Sequence, residues 1–141
     1  MAVEIAPLLA ADLAEIELQA SQAHMRKWMG GDFGAAIEAA GNCATALLDG
    51  VPVACAGICD LEGRRYAWAF LGHLARPVML AASRACAEAL SRETSDVFTH
   101  CRMDVPANAR WLKLLGFGPT GTSDVLPDGM TYELWVRRND R

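Results

Sequence analysis

The chain has 141 residues, a hydrophobic share of 52% against a charged share of 21%, and a formal net charge of −4. A chain of this length buries roughly two-thirds of its unfolded surface, so one core is attainable without metal or disulfide staples. The negative balance argues against general nucleic-acid binding, which needs clustered Lys and Arg, and the longest strongly apolar stretch, residues 51–58, is far too short to cross a bilayer.

Residues 1–10 carry Glu4 and no basic residue, so no secretory signal is expected. Residues 1–7 read as a short strand. Asp12 followed by Glu15 matches a capping box, and Leu9, Leu13, Ile16, Ala20 and Ala23 recur at helical steps, predicting one amphipathic helix. Residues 24–28 continue that helix or begin another. Gly30, Gly31 and Gly34 interrupt the pattern, and residues 35–40 resume it as a further helical piece. The glycine-broken region from Met25 through Phe33, with Trp28 and Met29, is the candidate partner surface, with Trp28 packed beneath the first helix as the other reading.

Residues 44–48 and 52–59 flank Asp49-Gly50, a pair suited to the positive φ angles of a type I′ hairpin turn. Glu62-Gly63 marks a second turn into residues 65–71, where Tyr66, Trp68 and Phe70 share one face and Ala67, Ala69 and Leu71 the other. An antiparallel meander is expected. Pro77 suits the first turn of a helix. Beyond it Val78, Ala82, Ala85, Cys86 and Ala89 form an apolar stripe, with Arg84, Glu88 and Arg92 as a solvent-facing row. Residues 96–103 return as a strand. Pro106 opens a short helix bearing Trp111, Leu112 and Leu115, which Gly116 stops. Asp128-Gly129 turns into a last strand over residues 130–136. Arg137, Arg138 and Arg141 read as a solvated tail. The order predicts a single α+β domain, a mixed sheet of six or seven strands with helices on both faces.

The five cysteines form no CxxC motif and are odd in number, and there are three histidines. Neither a disulfide framework nor a metal site is indicated, and free thiols are expected. Cys55 and Cys59 fall on one face of a strand. A histidine near neutral pKa can act as a general base, which makes His73 and His100 the candidate catalytic residues. The bland alternative is a partly buried, hydrogen-bonded ring. Trp68 and Trp111 each fall on an apolar face and read as core anchors.

The element order, together with the run from Asn108 through Trp111 and Leu112 to Gly116-Phe117, resembles the GNAT acetyltransferase superfamily. Residues 68–72, the helix after them, and Arg110-Trp111-Leu112 further resemble the acyltransferase-like and internal virion proteins of short-tailed phages. The resemblance spans residues 44–136 as an order of elements and 68–117 as residues. It implies acetyl-CoA as cofactor, with Arg76 and Asn108 as candidate contacts at two helix starts. GNAT enzymes cradle a pyrophosphate on backbone N–H groups in a glycine-bearing loop. Here residues 73–76 contain no glycine and Pro77 withdraws a donor. The family's Tyr acid falls on Leu112. The expectation is therefore weak or absent acetyl-CoA binding. The first reading is a virion structural or assembly protein with little or no catalysis, located in the host cytoplasm or the particle. Its partners would be virion or assembly proteins, with neither nucleic acid nor membrane. The alternative is an active acetyl-CoA-dependent N-acyltransferase, and a third reading is a peptide or small-molecule binding module.

Overall fold

The computed structural model describes residues 2–28, 32–72 and 76–139. Within them the order is β1 (Val3–Pro7), α1 (Ala10–Glu15), a 3₁₀ segment (Ala20–Trp28), α2 (Asp32–Ala40), β2 (Cys43–Leu48), β3 (Val51–Leu61), β4 (Arg64–Leu71), α3 (Arg76–Ser91), β5 (Val97–Cys101), α4 (Pro106–Leu114), β6 (Gly118–Val125) and β7 (Thr131–Arg137). The strands form one mixed seven-stranded sheet in the order β1-β2-β3-β4-β5-β7-β6. Every neighbouring pair is antiparallel except β4 and β5. Among the described residues no helix is long and apolar enough to cross a membrane.

The meander forms as its turns dictate. Asp49 and Gly50 have φ of 50° and 82°, and Glu62 and Gly63 have 52° and 81°; two positive values in succession match the right-handed twist of the flanking strands. Strand alternation then sorts the side chains. Phe70, Cys55 and Trp68 meet Leu8, Leu13, Ile16 and Leu18 under α1. On the other face, Ile58, Val97, Cys101 and Trp135 meet Leu90, Leu112 and Phe117 of the α3–α4 layer. Trp135 is 1% exposed. The end of α4 is closed by a Schellman arrangement: Gly116, at φ 95°, donates to the Lys113 carbonyl at 3.1 Å, and Phe117 donates to that of Leu112 at 3.0 Å.

Three expectations are corrected. Asp12 is the third residue of α1, not its cap. Its carboxylate reaches back to accept from Leu9 N–H at 2.9 Å, and also accepts the Thr45 hydroxyl at 2.8 Å, a favourable place for negative charge. The single helix over residues 9–23 is broken, because Leu18 leaves the spiral to bridge Gly72 antiparallel and Gln19 N–H donates to the Leu71 carbonyl at 2.8 Å. The carbonyls thereby stranded at Leu13 and Ile16 accept both guanidinium nitrogens of Arg26, which answers the unpaired end of a helix. Finally, Arg137 is no tail residue. It closes β7 and donates to the Leu90 carbonyl at the end of α3, at 3.2 Å. All five cysteines are free, Cys55 and Cys101 buried.

Candidate active site at the β4–β5 seam

β4 and β5 run parallel but pair only at Arg65–Val97 and Tyr66–Phe98. Arg65 locks the closed end, donating to both carboxylate oxygens of Glu93 at 2.7 and 3.2 Å; that fork geometry raises the guanidinium above its ordinary pKa. One step further on, the Thr99 hydroxyl takes the Ala67 carbonyl at 2.9 Å, where a ladder bond would otherwise fall. Beyond this point the ladder stops and the sheet is split.

The two faces of the split differ. Toward α3 it opens on a cavity of about 470 Å³, walled by Ala54, Ala56, Ala67 and Ala69 of the sheet and by Ala85 and Cys86 of the helix. That volume lies within the usual range for small-molecule sites. Trp111 closes one side and donates from Nε1 to Ser83 at 2.9 Å.

Toward the 3₁₀ segment the surroundings are aromatic and ionisable. The His100 ring stacks on Tyr66 at 5.7 Å and meets the edge of Tyr132 at 6.3 Å. Its Nε2 lies 3.2 Å from Asp124. Next to it, Asp128 Oδ2 accepts the Tyr132 hydroxyl at 2.6 Å and pairs with His24 Nε2 at 2.9 Å, while Oδ1 accepts Met130 N–H at 2.9 Å. The Asp128 side chain is 3% exposed. Burial pushes its carboxyl up, but the bonds from Tyr132, Met130 and His24 together hold it below the ordinary carboxylate range. Burial, then the hydrogen bond to Asp128 and its charge, push the Tyr132 phenol up to about 12.

Among the described residues, His100 is the one predicted site residue set beside the split. His73 lies outside the described residues. Arg76 is exposed at the start of α3, and Asn108 is half-buried in the first turn of α4. These helices cover the face opposite His100, so the three are not gathered at one point. Leu112, in the position of the family's acid, is buried in the core. Of the candidate partner surface, Met29 and the Trp28 side chain lie outside what is described, and Phe33 packs edge-on against Phe70 at 6.1 Å. Sequence reading missed the His24–Asp128–Tyr132 cluster. Asp128 was legible only as a turn residue, and its histidine is 104 positions away.

The residues suit an acyl-CoA in part. The split offers a cavity to an extended arm, and an edge of β4 whose outward groups are not paired with β5. At the start of α3, Pro77 has no N–H to give a phosphate, and Arg76 is a cation at that helix end.

No protein-family model and no curated protein sequence matches the chain significantly. Solved structures do match in shape. An N-acetyltransferase from Staphylococcus aureus Mu50 superposes with a TM-score of 0.73 at 12% identity, over 99% of this chain and 100% of that one. A putative acetyltransferase, YncA, from Salmonella typhimurium, determined with its cofactor acetyl-CoA, gives 0.70 at 16% identity over 100% and 96%. A GNAT-superfamily phosphinothricin acetyltransferase from Sinorhizobium meliloti in complex with acetyl-CoA gives 0.66 at 12% identity over 98% and 89%. The chain therefore has the fold of the GNAT acetyltransferases.

Proposed function

We propose that the protein transfers an acyl group from an acyl thioester of the acetyl-CoA type to an amine. The observation that carries this reading is the seam: two parallel strands that pair over two residues and then part beside a cavity of about 470 Å³. A thioester held there supplies an activated carbonyl carbon. An uncharged amine arriving from the His100 face attacks that carbon, the C–N bond forms, the C–S bond breaks, and sulfur leaves as thiolate. The proton shed by the amine goes to His100. With Asp124 accepting from Nε2–H, Nδ1 keeps the free lone pair, and stacking on Tyr66 fixes the ring plane. Leu112 cannot protonate the thiolate, so proton delivery to sulfur falls to solvent.

The test is calorimetric titration with acetyl-CoA, followed by thiol release over a panel of amines. Binding and turnover are expected, with His100→Ala lowering kcat by roughly 10²–10⁴-fold while acetyl-CoA affinity holds. No binding, or binding without turnover of any amine, overturns the reading.

A second reading has two observations in its favour: Leu112 is 9% exposed, a core residue at the position that the resemblance gives to an acid, and Pro77 stands where a phosphate-binding N–H would be. It makes the chain a non-catalytic protein of phage particle structure or assembly, in the host cytoplasm or the virion. It predicts no acetyl-CoA binding and co-assembly with purified virion proteins.

A further inference from the structure

The open half of β4 is not bare. Gly72 N–H donates to Val53 of β3 at 2.8 Å, so by strand alternation the backbone groups of Ala69 and Leu71 face away from β3 and into the seam. Two of them are taken by one side chain. Gln22 donates from Nε2 to the Ala69 carbonyl at 2.9 Å, and its Oε1 accepts Leu71 N–H at 2.6 Å. In a parallel ladder, a residue opposite Phe70 would bond that same carbonyl and that same N–H through its own N–H and C=O. A carboxamide carries the same donor and acceptor as a peptide group. Gln22 thus occupies the edge as a single amide of a missing strand would.

We propose that Gln22 is an internal stand-in for a ligand amide, and that an acyl thioester whose thiol arm carries secondary amides must exchange with it to enter the seam. This rests on the acyl-transfer reading. The chemistry favours exchange over permanence. The Gln22 backbone is held separately, its N–H donating to Gln19 at 2.9 Å, and Gln19 N–H holds the Leu71 carbonyl. The side chain can therefore swing away by rotamer change while the segment stays docked. On leaving, it exposes a donor and an acceptor at amide spacing, which another amide satisfies and an apolar chain would bury unpaired at a cost. Gln22 consequently sets both the affinity and the chemical class of what enters: amide-bearing arms displace it, and purely apolar chains do not.

Coenzyme A is the probe, titrated by calorimetry into the wild type, Gln22→Ala and Gln22→Met, the last keeping the chain length without the amide. Removing the competitor should tighten binding about tenfold in both variants, because the two hydrogen bonds of Gln22 no longer have to be broken for the ligand to enter. Amide hydrogen exchange at Leu71 supplies a readout that a merely structural role would not move. It should be slow in the wild type, fast in the free variants, and slow again when coenzyme A is added to them. If the wild type binds and both variants bind equally or more weakly, Gln22 is only a brace and the proposal is overturned while acyl transfer stands. If no form binds coenzyme A although Leu71 exchanges freely in the variants, the acyl-transfer reading falls and takes this proposal with it.

Discussion

On the face under α1, β4 presents Tyr66, Trp68 and Phe70, and their rings meet Phe98, Phe33 and the buried aliphatics in and around α1. On the other face the same strand presents Ala67 and Ala69, and α3 answers with Ala85 and Cys86 across a cavity of about 470 Å³. One strand thus carries a filled face and a hollow one, separated only by alternation. The lesson is that, beside a split set by backbone topology, side-chain volume decides which face has room for a ligand. Two opposed surfaces of small residues leave space that ordinary core packing would close.

The contrast can be broken by substitution. Phe70→Ala, on the filled face, should cost about 3–5 kcal/mol in denaturant unfolding; a loss below 1 kcal/mol would show that this face is loosely packed. Tyr132→Phe should cost roughly 1.5–3 kcal/mol, the scale of a hydrogen bond to a buried charge. Its pH dependence follows from the shifts. Because the Asp128 carboxyl is depressed in the folded protein, its contribution is complete above about pH 4 and is lost as pH falls through the folded value. Tyr132 is raised to about 12, so its contribution is complete below about pH 10 and fades as pH climbs toward 12. Spectrophotometric titration should show a tyrosine ionising near pH 12, absent in Tyr132→Phe.

Gly57→Ala sharpens the comparison further. An added Cβ would sit 2.6 Å from Trp68 Cζ2 and 2.8 Å from Cys43 Cβ, so about 1–3 kcal/mol should be lost. Ala85→Leu, three carbons larger but aimed at the cavity, should stay within about 1 kcal/mol of the wild type, where a leucine forced into a packed core costs about 1–3. Equal penalties for the glycine and the alanine would mean the hollow face is not hollow.

Much of the fold was legible because its signals are local. Asp49-Gly50 and Glu62-Gly63 announce two turns, alternation in residues 64–71 sorts the faces, and Gly116-Phe117 announces the end of α4. The break after α1 was not legible. Leu9, Leu13, Ile16, Ala20 and Ala23 keep helical spacing straight through it, and the competing partners, Gly72 and Leu71, lie some fifty positions downstream. Of the residues that line the seam, the sequence singled out only His100. The seam depends on how far two parallel strands stay together, which no spacing within either strand encodes, and the Asp128 cluster joins residues from opposite ends of the chain.

The position of β7 has a consequence for how the chain is made. β5 pairs with β4 at two positions, and all five of its residues pair with β7, which lies thirty residues later in the sequence. Until the C-terminal strand arrives, β5 is therefore an edge with almost no partner, apolar at Val97, Phe98 and Cys101. Such unprotected edges template pairing with other chains, and long-range closure is slow. The meander of β2, β3 and β4 can close on its own turns during synthesis, whereas the half of the sheet that bears His100 takes shape only when the last strand docks. A ribosome-stalled chain lacking β7 should accordingly be caught by chaperones through β5.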